Sequence, residues 1–261
     1  MNRSRRVVAI IAARMASTRF PDKPLAPILG VPMIGHVYHR TRMARGIDEV
    51  WIATCDESIM EYARSIGAPA VMTRDTHERA TDRIAEAVPL IEAQTDTRID
   101  VALLVQGDEP MLVPAMLEDL VAPMLEESVQ VANLMSEIET AAEFEDPNAV
   151  KVVCDASGRA LYFSREPIPS RTKHAGAVPM LKQLGLIAFT REALLEYTVL
   201  PPTLLEAIES VDMNRLLEHG RDIRMKATVH RTTAVDTPAD LTRVENLMRL
   251  DPFLASYRAR A

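Results

Sequence analysis

The chain has 261 residues, of which 48% are hydrophobic and 26% charged, with a formal net charge of −7. That balance is ordinary for a globular protein, excludes wholesale disorder, and argues against a nucleic-acid binder, which would show a basic excess. The charge is uneven: residues 1–23 carry Arg3, Arg5, Arg6, Arg14, Arg19 and Lys23 against Asp22 alone, a net +5, while the rest holds 24 basic and 36 acidic groups, which suggests a small anionic ligand met by a local cluster.

In chain order, Val7–Ala12 is a continuous apolar run and predicts a strand covered on both faces. Met33–Arg42 follows the helical period, Glu49–Ala53 is a second strand, and Glu57–Ser65 is a helix closed by Gly67. Ala70–Met72 is a short strand, Asp82–Glu92 a helix, Val101–Val105 another apolar strand, and Pro114–Leu125 a helix opened by proline. This is the rhythm of a parallel sheet flanked by helices. From about residue 129 the rhythm changes. Val129–Asn133, Val150–Cys154 and Ala160–Phe163 read as strands without regular helices between them, the last two joined as a hairpin by Asp155–Gly158. After a long loop around Pro167 and Pro169 come a strand at Lys182–Thr190 and a helix at Arg191–Tyr197. Next are a helix from beyond Pro202 to Glu218, a strand at Ile223–Val229 and a last helix at Pro238–Arg249, capped by Asp236 or Thr237. The expectation is one α/β domain over residues 1–261, with an antiparallel element inserted at about 129–185.

Cys55 and Cys154 stand alone, without a disulfide framework or zinc-finger spacing, which fits a reducing, cytoplasmic setting. No apolar stretch approaches the ~20 residues that span a membrane. The run Val7–Ala13 ends in Arg14 rather than a small-residue cleavage site, so a first strand is the better reading than a signal peptide. No GxxxxGK or GxGxxG is present, which excludes a P-loop enzyme and argues against a Rossmann dehydrogenase.

In open α/β sheets ligands sit at the carboxyl ends of the strands. After the first strand, Ala13 leads into Arg14, Ser17, Thr18, Arg19 and Lys23, a loop of cations, hydroxyls and backbone N–H groups suited to a triphosphate. After Val101–Val105 come Gln106, Gly107, Asp108, Glu109 and Pro110. A carboxylate there, beside a glycine that lets a ligand approach, could hold Mg²⁺; it could equally be an ordinary strand exit. Asp236 offers a second carboxylate, but Asp before Thr-Pro is also a good helix cap. Both readings of Asp236 hold if it meets Asp108 in space.

Taken together, Arg14-x-x-Ser17-Thr18-Arg19-x-Pro21-x-Lys23-Pro24-Leu25, Gln106–Pro110 and Val235–Pro238 resemble the 3-deoxy-manno-octulosonate (Kdo) cytidylyltransferases. Pro32–Ile34, Met72–Arg74, Asn148–Val153 and Leu161–Arg165 match in order and spacing, so the resemblance covers about residues 6–247. It implies a Rossmann-like three-layer α/β/α nucleotide-diphospho-sugar transferase fold, with a mostly parallel central sheet and an inserted antiparallel element that builds a homodimer. It also implies CMP transfer from CTP to a 2-keto-3-deoxy sugar acid for lipopolysaccharide or another surface glycan, with Mg²⁺ and no covalent enzyme intermediate. By position, Arg14, Lys23 and Asp108 would be catalytic. Ala13, Arg14, Ser17, Lys23, Gln106 and Asp108 would bind the nucleotide, and Asp108 and Asp236 the metal. Arg83, Arg165, Gln183 and Asp212 would meet the sugar acid, with Arg165 facing its carboxylate.

The departures fall mostly on the sugar side. The family's His-Leu-Gly-Ile-Tyr is Gln183-Leu184-Gly185-Leu186-Ile187 here, and its Glu-Gln pair is Asp212-Met213. Ser-Gly-Thr-Glu-Arg becomes Arg79-Ala80-Thr81-Asp82-Arg83, and Cys55 replaces an aspartate. Gln can replace a hydrogen bond of His but cannot titrate, and Ile cannot donate at all. The expected acceptor is therefore Kdo or a relative such as an amino-Kdo or a sialic-acid-like acid. The other readings are a non-catalytic sugar-nucleotide binder and a transferase that uses a different base.

Overall fold

The computed structural model describes residues 5–16, 20–174 and 176–258. The chain forms two compact units, Met1–Glu118 with Arg231–Ala261, and Asp119–His230. One domain over the whole chain is the expectation from the sequence, and the stretch expected as inserted, 129–185, lies inside the second unit.

The first unit opens with strand β1 (Val7–Ala13), buried at all seven positions as its apolar run requires. A 3-10 turn at Lys23–Leu25 leads to a small antiparallel hairpin of β2 (Pro27–Ile28) and β3 (Val31–Pro32). Helix α1 (Met33–Thr41), β4 (Glu49–Thr54), α2 (Glu57–Ser65) and β5 (Ala70–Met72) follow. Then come α3 (Ala80–Thr95), β6 (Val101–Gln106) and α4 (Pro114–Val121), which tightens into a 3-10 turn at Ala122–Leu125. The sheet order is β6-β1-β4-β5, and every pair is parallel. Fully buried Ile10 and Ile11 of β1 are each worth roughly 1.5–3 kcal/mol. Helix α3 overruns the expected Asp82–Glu92 at both ends. Its stop is Asp96 in the left-handed region (φ 50), a conformation a short polar side chain tolerates and no glycine announces.

The second unit contains β7 (Val131–Glu137), α5 (Ala141–Glu145), β8 (Lys151–Cys154) and β9 (Ala160–Ser164). After them come β10 (Leu181–Thr190), α6 (Arg191–Val199), α7 (Leu204–Glu209), α8 (Asp212–Glu218) and β11 (Arg224–Ala227). Strand β10 runs antiparallel to β7 and β8, β8 runs antiparallel to β9, and β11 runs parallel to β7. The β8–β9 turn is closed by Asp155 Oδ1, which accepts from the N–H groups of Ser157 (2.8 Å) and Arg159 (2.9 Å). Two expectations are corrected. A five-residue helix, α5, stands between the strands, started by Thr140, whose side chain accepts from the Glu143 N–H. The helix expected to run unbroken to Glu218 is two helices, because Ser210 turns left-handed (φ 50) between them.

The first unit is completed by α9 (Pro238–Met248) and α10 (Leu254–Tyr257). Val235, Val244, Met248, Leu254 and Tyr257 pack in one core with Ile28 and Met33. That core pins the returning chain at Val235 beside the turn that bears Lys23. Within it His36 is fully buried, with Nδ1 2.8 Å from the Tyr257 hydroxyl and Nε2 2.9 Å from the Ile28 carbonyl oxygen.

Candidate active site

Because β1, β4 and β6 are parallel and in register, Ala13 ends beside Thr54, and Ala12 lies beside Gln106. The segments that follow these strands therefore leave the same edge of the sheet. Gly107 continues β6 with its N–H on the Ala12 carbonyl oxygen at 3.1 Å. A Cβ on Gly107 would lie 2.9 Å from that oxygen and 3.1 Å from the Ala13 Cβ. Gly107 therefore makes room for the end of β1, and this close approach sets the exit of Asp108.

Lys23 is buried on its 3-10 turn, just after Asp22 in the left-handed region. Its ammonium lies 2.7 Å from Asp108 Oδ2 and 3.3 Å from Asp236 Oδ1. The two carboxylates are brought together by main chain: the Val235 N–H donates to the Asp108 carbonyl oxygen at 2.9 Å. The alternative roles of Asp236 also separate here. Thr237 caps α9, its hydroxyl accepting from the Asp240 N–H (3.2 Å) while Asp240 Oδ2 accepts from the Thr237 N–H (3.0 Å). Thr237 does the capping, and the Asp236 carboxylate turns to Lys23. The hydrogen bonds at this capping box, led by the one from Thr237, hold the Asp240 carboxyl below its usual range despite some burial.

Arg14 is exposed, with Nη1 3.3 Å from the His77 carbonyl oxygen. Arg83 on α3 is buried and donates to Thr73 Oγ1 (2.6 Å) and to the carbonyl oxygens of Arg74 (3.3 Å) and His77 (3.5 Å). Both guanidiniums therefore converge on the His77 carbonyl. Arg83 also sits against Cys55, where burial outweighs it and pushes the thiol above its ordinary value. Ser17, Thr18 and Arg19 lie outside the described residues. Asp56, which the sequence reading passes over, accepts the Met15 N–H at 2.8 Å and so ties the loop after β1 to the start of α2. An aspartate directly before a helical pattern was the available signal.

The remaining candidates belong to the second unit. Arg165 donates to the carbonyl oxygens of Glu209 (2.6 Å), Pro147 (2.8 Å) and Ser210 (3.3 Å), which uses three of the five N–H groups of a guanidinium. Buried Glu209, also unread in the sequence, accepts from the Arg165 N–H (2.7 Å), Tyr162 Oη (2.8 Å) and Ser164 Oγ (2.9 Å). Burial pushes its carboxyl up, but those donors prevail and hold it below the usual range. Burial and the facing Glu209 push the Tyr162 hydroxyl up to about 12. Asp212 opens α8 half-buried. Gln183 Nε2 donates to Asn133 Oδ1 at 2.6 Å. Ile187 and Met213, at positions where the resemblance would place polar groups, are buried among the core.

In the first unit the arrangement joins cationic side chains and two convergent carboxylates at the carboxyl edge of a parallel sheet, which suits a polyphosphate and a divalent cation. The Cytidylyltransferase family matches residues 8–223. The chain is 46% identical over 252 residues to the 3-deoxy-manno-octulosonate cytidylyltransferase of Nitratidesulfovibrio vulgaris, covering 95% of this chain and 98% of that one. It is 43% identical over 249 residues to the enzyme of the same name from Geobacter sulfurreducens, covering 91% and 97%. Among solved structures, CMP:2-keto-3-deoxy-manno-octonic acid synthetase complexed with CTP matches with a TM-score of 0.85 at 40% identity, covering 94% and 98%. The mixed α/β fold is shared with that structure over nearly the whole chain.

Proposed function

Since the chain belongs to the cytidylyltransferase family, we propose that it transfers CMP from CTP to the anomeric hydroxyl of a 3-deoxy-2-ulosonic acid, Kdo or a near relative. The hydroxyl oxygen bonds to the α-phosphorus, its proton passes to solvent, the bond from that phosphorus to the bridging oxygen breaks, and pyrophosphate leaves. The observation that carries this reading is the Lys23 ammonium held between Asp108 and Asp236. Two carboxylates already converging on one cation fit Mg²⁺, which binds through one or two carboxylates together with phosphate oxygens. Asp108 and Asp236 would hold it, and when bound it would neutralise phosphate charge and acidify the attacking hydroxyl.

The chain's own groups supply positioning and charge. Lys23 and Arg14 bind phosphate oxygens, Ala13 brings the end of β1 to the nucleotide, and Gln106 faces the base. Asp56 and Arg83 hold the segments on which Arg14 rests. On the second unit, the two N–H groups Arg165 keeps beyond its carbonyl contacts serve the sugar carboxylate, with Gln183 and Asp212 as further contacts. The second unit also exposes Leu161, Leu204 and Ile208, apolar side chains that a second copy of the chain would cover in a homodimer. Asp108→Asn tests the site: pyrophosphate release should fall by about a thousandfold while CTP still binds. Retained turnover would remove Asp108 from the mechanism.

A further inference from the structure

Strand β10 carries an irregularity opposite β7. Gln183 pairs with Met135 and Ile187 with Asn133, so four steps on β10 face two on β7. Such bulges re-aim side chains and occur beside active sites. Asn133 is fully buried in this one. Its Nδ2 donates to the carbonyl oxygens of Leu184 (2.8 Å) and Leu186 (2.9 Å). Both amide hydrogens are thereby used, so Asn133 Oδ1 can only accept, and the Gln183 Nε2 that meets it at 2.6 Å must donate. The Gln183 amide consequently has one orientation. Its carbonyl oxygen does not bond Asn133 and has no partner among the described residues, on a side chain that is half-buried.

We propose that Asn133 is a positioning residue that fixes Gln183 as a hydrogen-bond acceptor, so that the sugar acid is read at this point by a group that donates, a hydroxyl or a protonated amine. This rests on the transfer reaction proposed above. A neutral acceptor serves both donors, and the ammonium bond is the stronger because it is charge-assisted. Ile187 and Met213 are apolar and buried, so neither supplies a polar contact here, and discrimination at this one point falls on the Gln183 oxygen.

The test is steady-state kinetics of pyrophosphate release from CTP and Mg²⁺. The acceptors are Kdo and analogues in which each hydroxyl in turn is replaced by hydrogen or by an amine. Gln183→Met should raise KM for the acid about tenfold or more, while kcat and KM for CTP stay near wild type. For the one deoxy analogue that lacks the donor facing Gln183, the same substitution should change KM little. Gln183→His should recover most of the loss, because a neutral imidazole donates from one nitrogen to Asn133 and accepts with the other. Asn133→Ala would also open the β7–β10 pairing, so the two Gln183 variants carry the test. An unchanged KM for the acid, an equal rise for every analogue, or a rise in KM for CTP would overturn the inference and leave the transfer reaction standing. No release from wild type with any acid would overturn both.

Discussion

Lys23 holds two carboxylates that would otherwise face each other, and it does so from a buried position on a 3-10 turn. On the proposed reaction, Lys23→Met would remove a phosphate contact, and it leaves Asp108 and Asp236 without their shared cation. The expected result is a fall in kcat/KM for CTP of roughly a hundredfold or more, read by pyrophosphate release at saturating sugar acid. Gly107 sits one residue away and has no space for a side chain. Gly107→Ala should cost about 1–3 kcal/mol in urea unfolding and should lower kcat by displacing Asp108. The place of Asp108 was legible in the sequence because it follows a buried apolar run, Val101–Val105. Asp236 carried two readings that only the cap could separate, since Thr237 and Asp240 satisfy the helix start between themselves. Asn133 and Glu209 were not legible, because each acts through partners some 45 to 50 residues away in the chain.

Helix α10 is held by a buried histidine whose protonation should loosen it. Burial is the largest cause pushing His36 down from 6.5 to about 4, and the nearby Arg40 and His39 push the same way. His36 Nε2 donates to Ile28 O, so Nδ1 must accept from Tyr257 and has no room for a proton. The folded-state pKa lies below the unfolded one, so between pH 6.5 and about 4 the unfolded chain binds the proton first. Stability is full above that window and falls as pH drops through it, by on the order of 3 kcal/mol. Urea unfolding at pH 7 and pH 4.5 should show this loss, and His36→Gln should flatten the part of the slope that His36 contributes. The continuous apolar run of β1 and the helical period of α2 could be read directly from the sequence. The β2–β3 hairpin, α5 and α10 could not, because strands of two residues and helices of four or five carry too few positions to show either. The break at Ser210 escaped because its cause is tertiary: Arg165 binds the carbonyl oxygens of Glu209 and Ser210 at that point.

At the scale of the molecule, the two units divide the chain's chemistry. Met1–Glu118 with Arg231–Ala261 holds Arg14, Lys23, Arg83, Asp108 and Asp236, while Asp119–His230 holds Arg165, Gln183 and Asp212. The identity to the two named cytidylyltransferases runs over more than nine-tenths of the chain and so includes both. Leu204 and Ile208 lie one turn apart on α7, 71% and 64% exposed. Light scattering should give a dimer mass, and Leu204→Glu with Ile208→Glu should shift it to the monomer.

Pyrophosphate release tests the transfer reaction most directly. Purified protein should be incubated with CTP, Mg²⁺ and a panel of 3-deoxy-2-ulosonic acids, Kdo among them. The expected result is release that requires both CTP and at least one of the acids, is abolished by chelating the metal, and is lost in Asp108→Asn. Absence of release with every acid would contradict it.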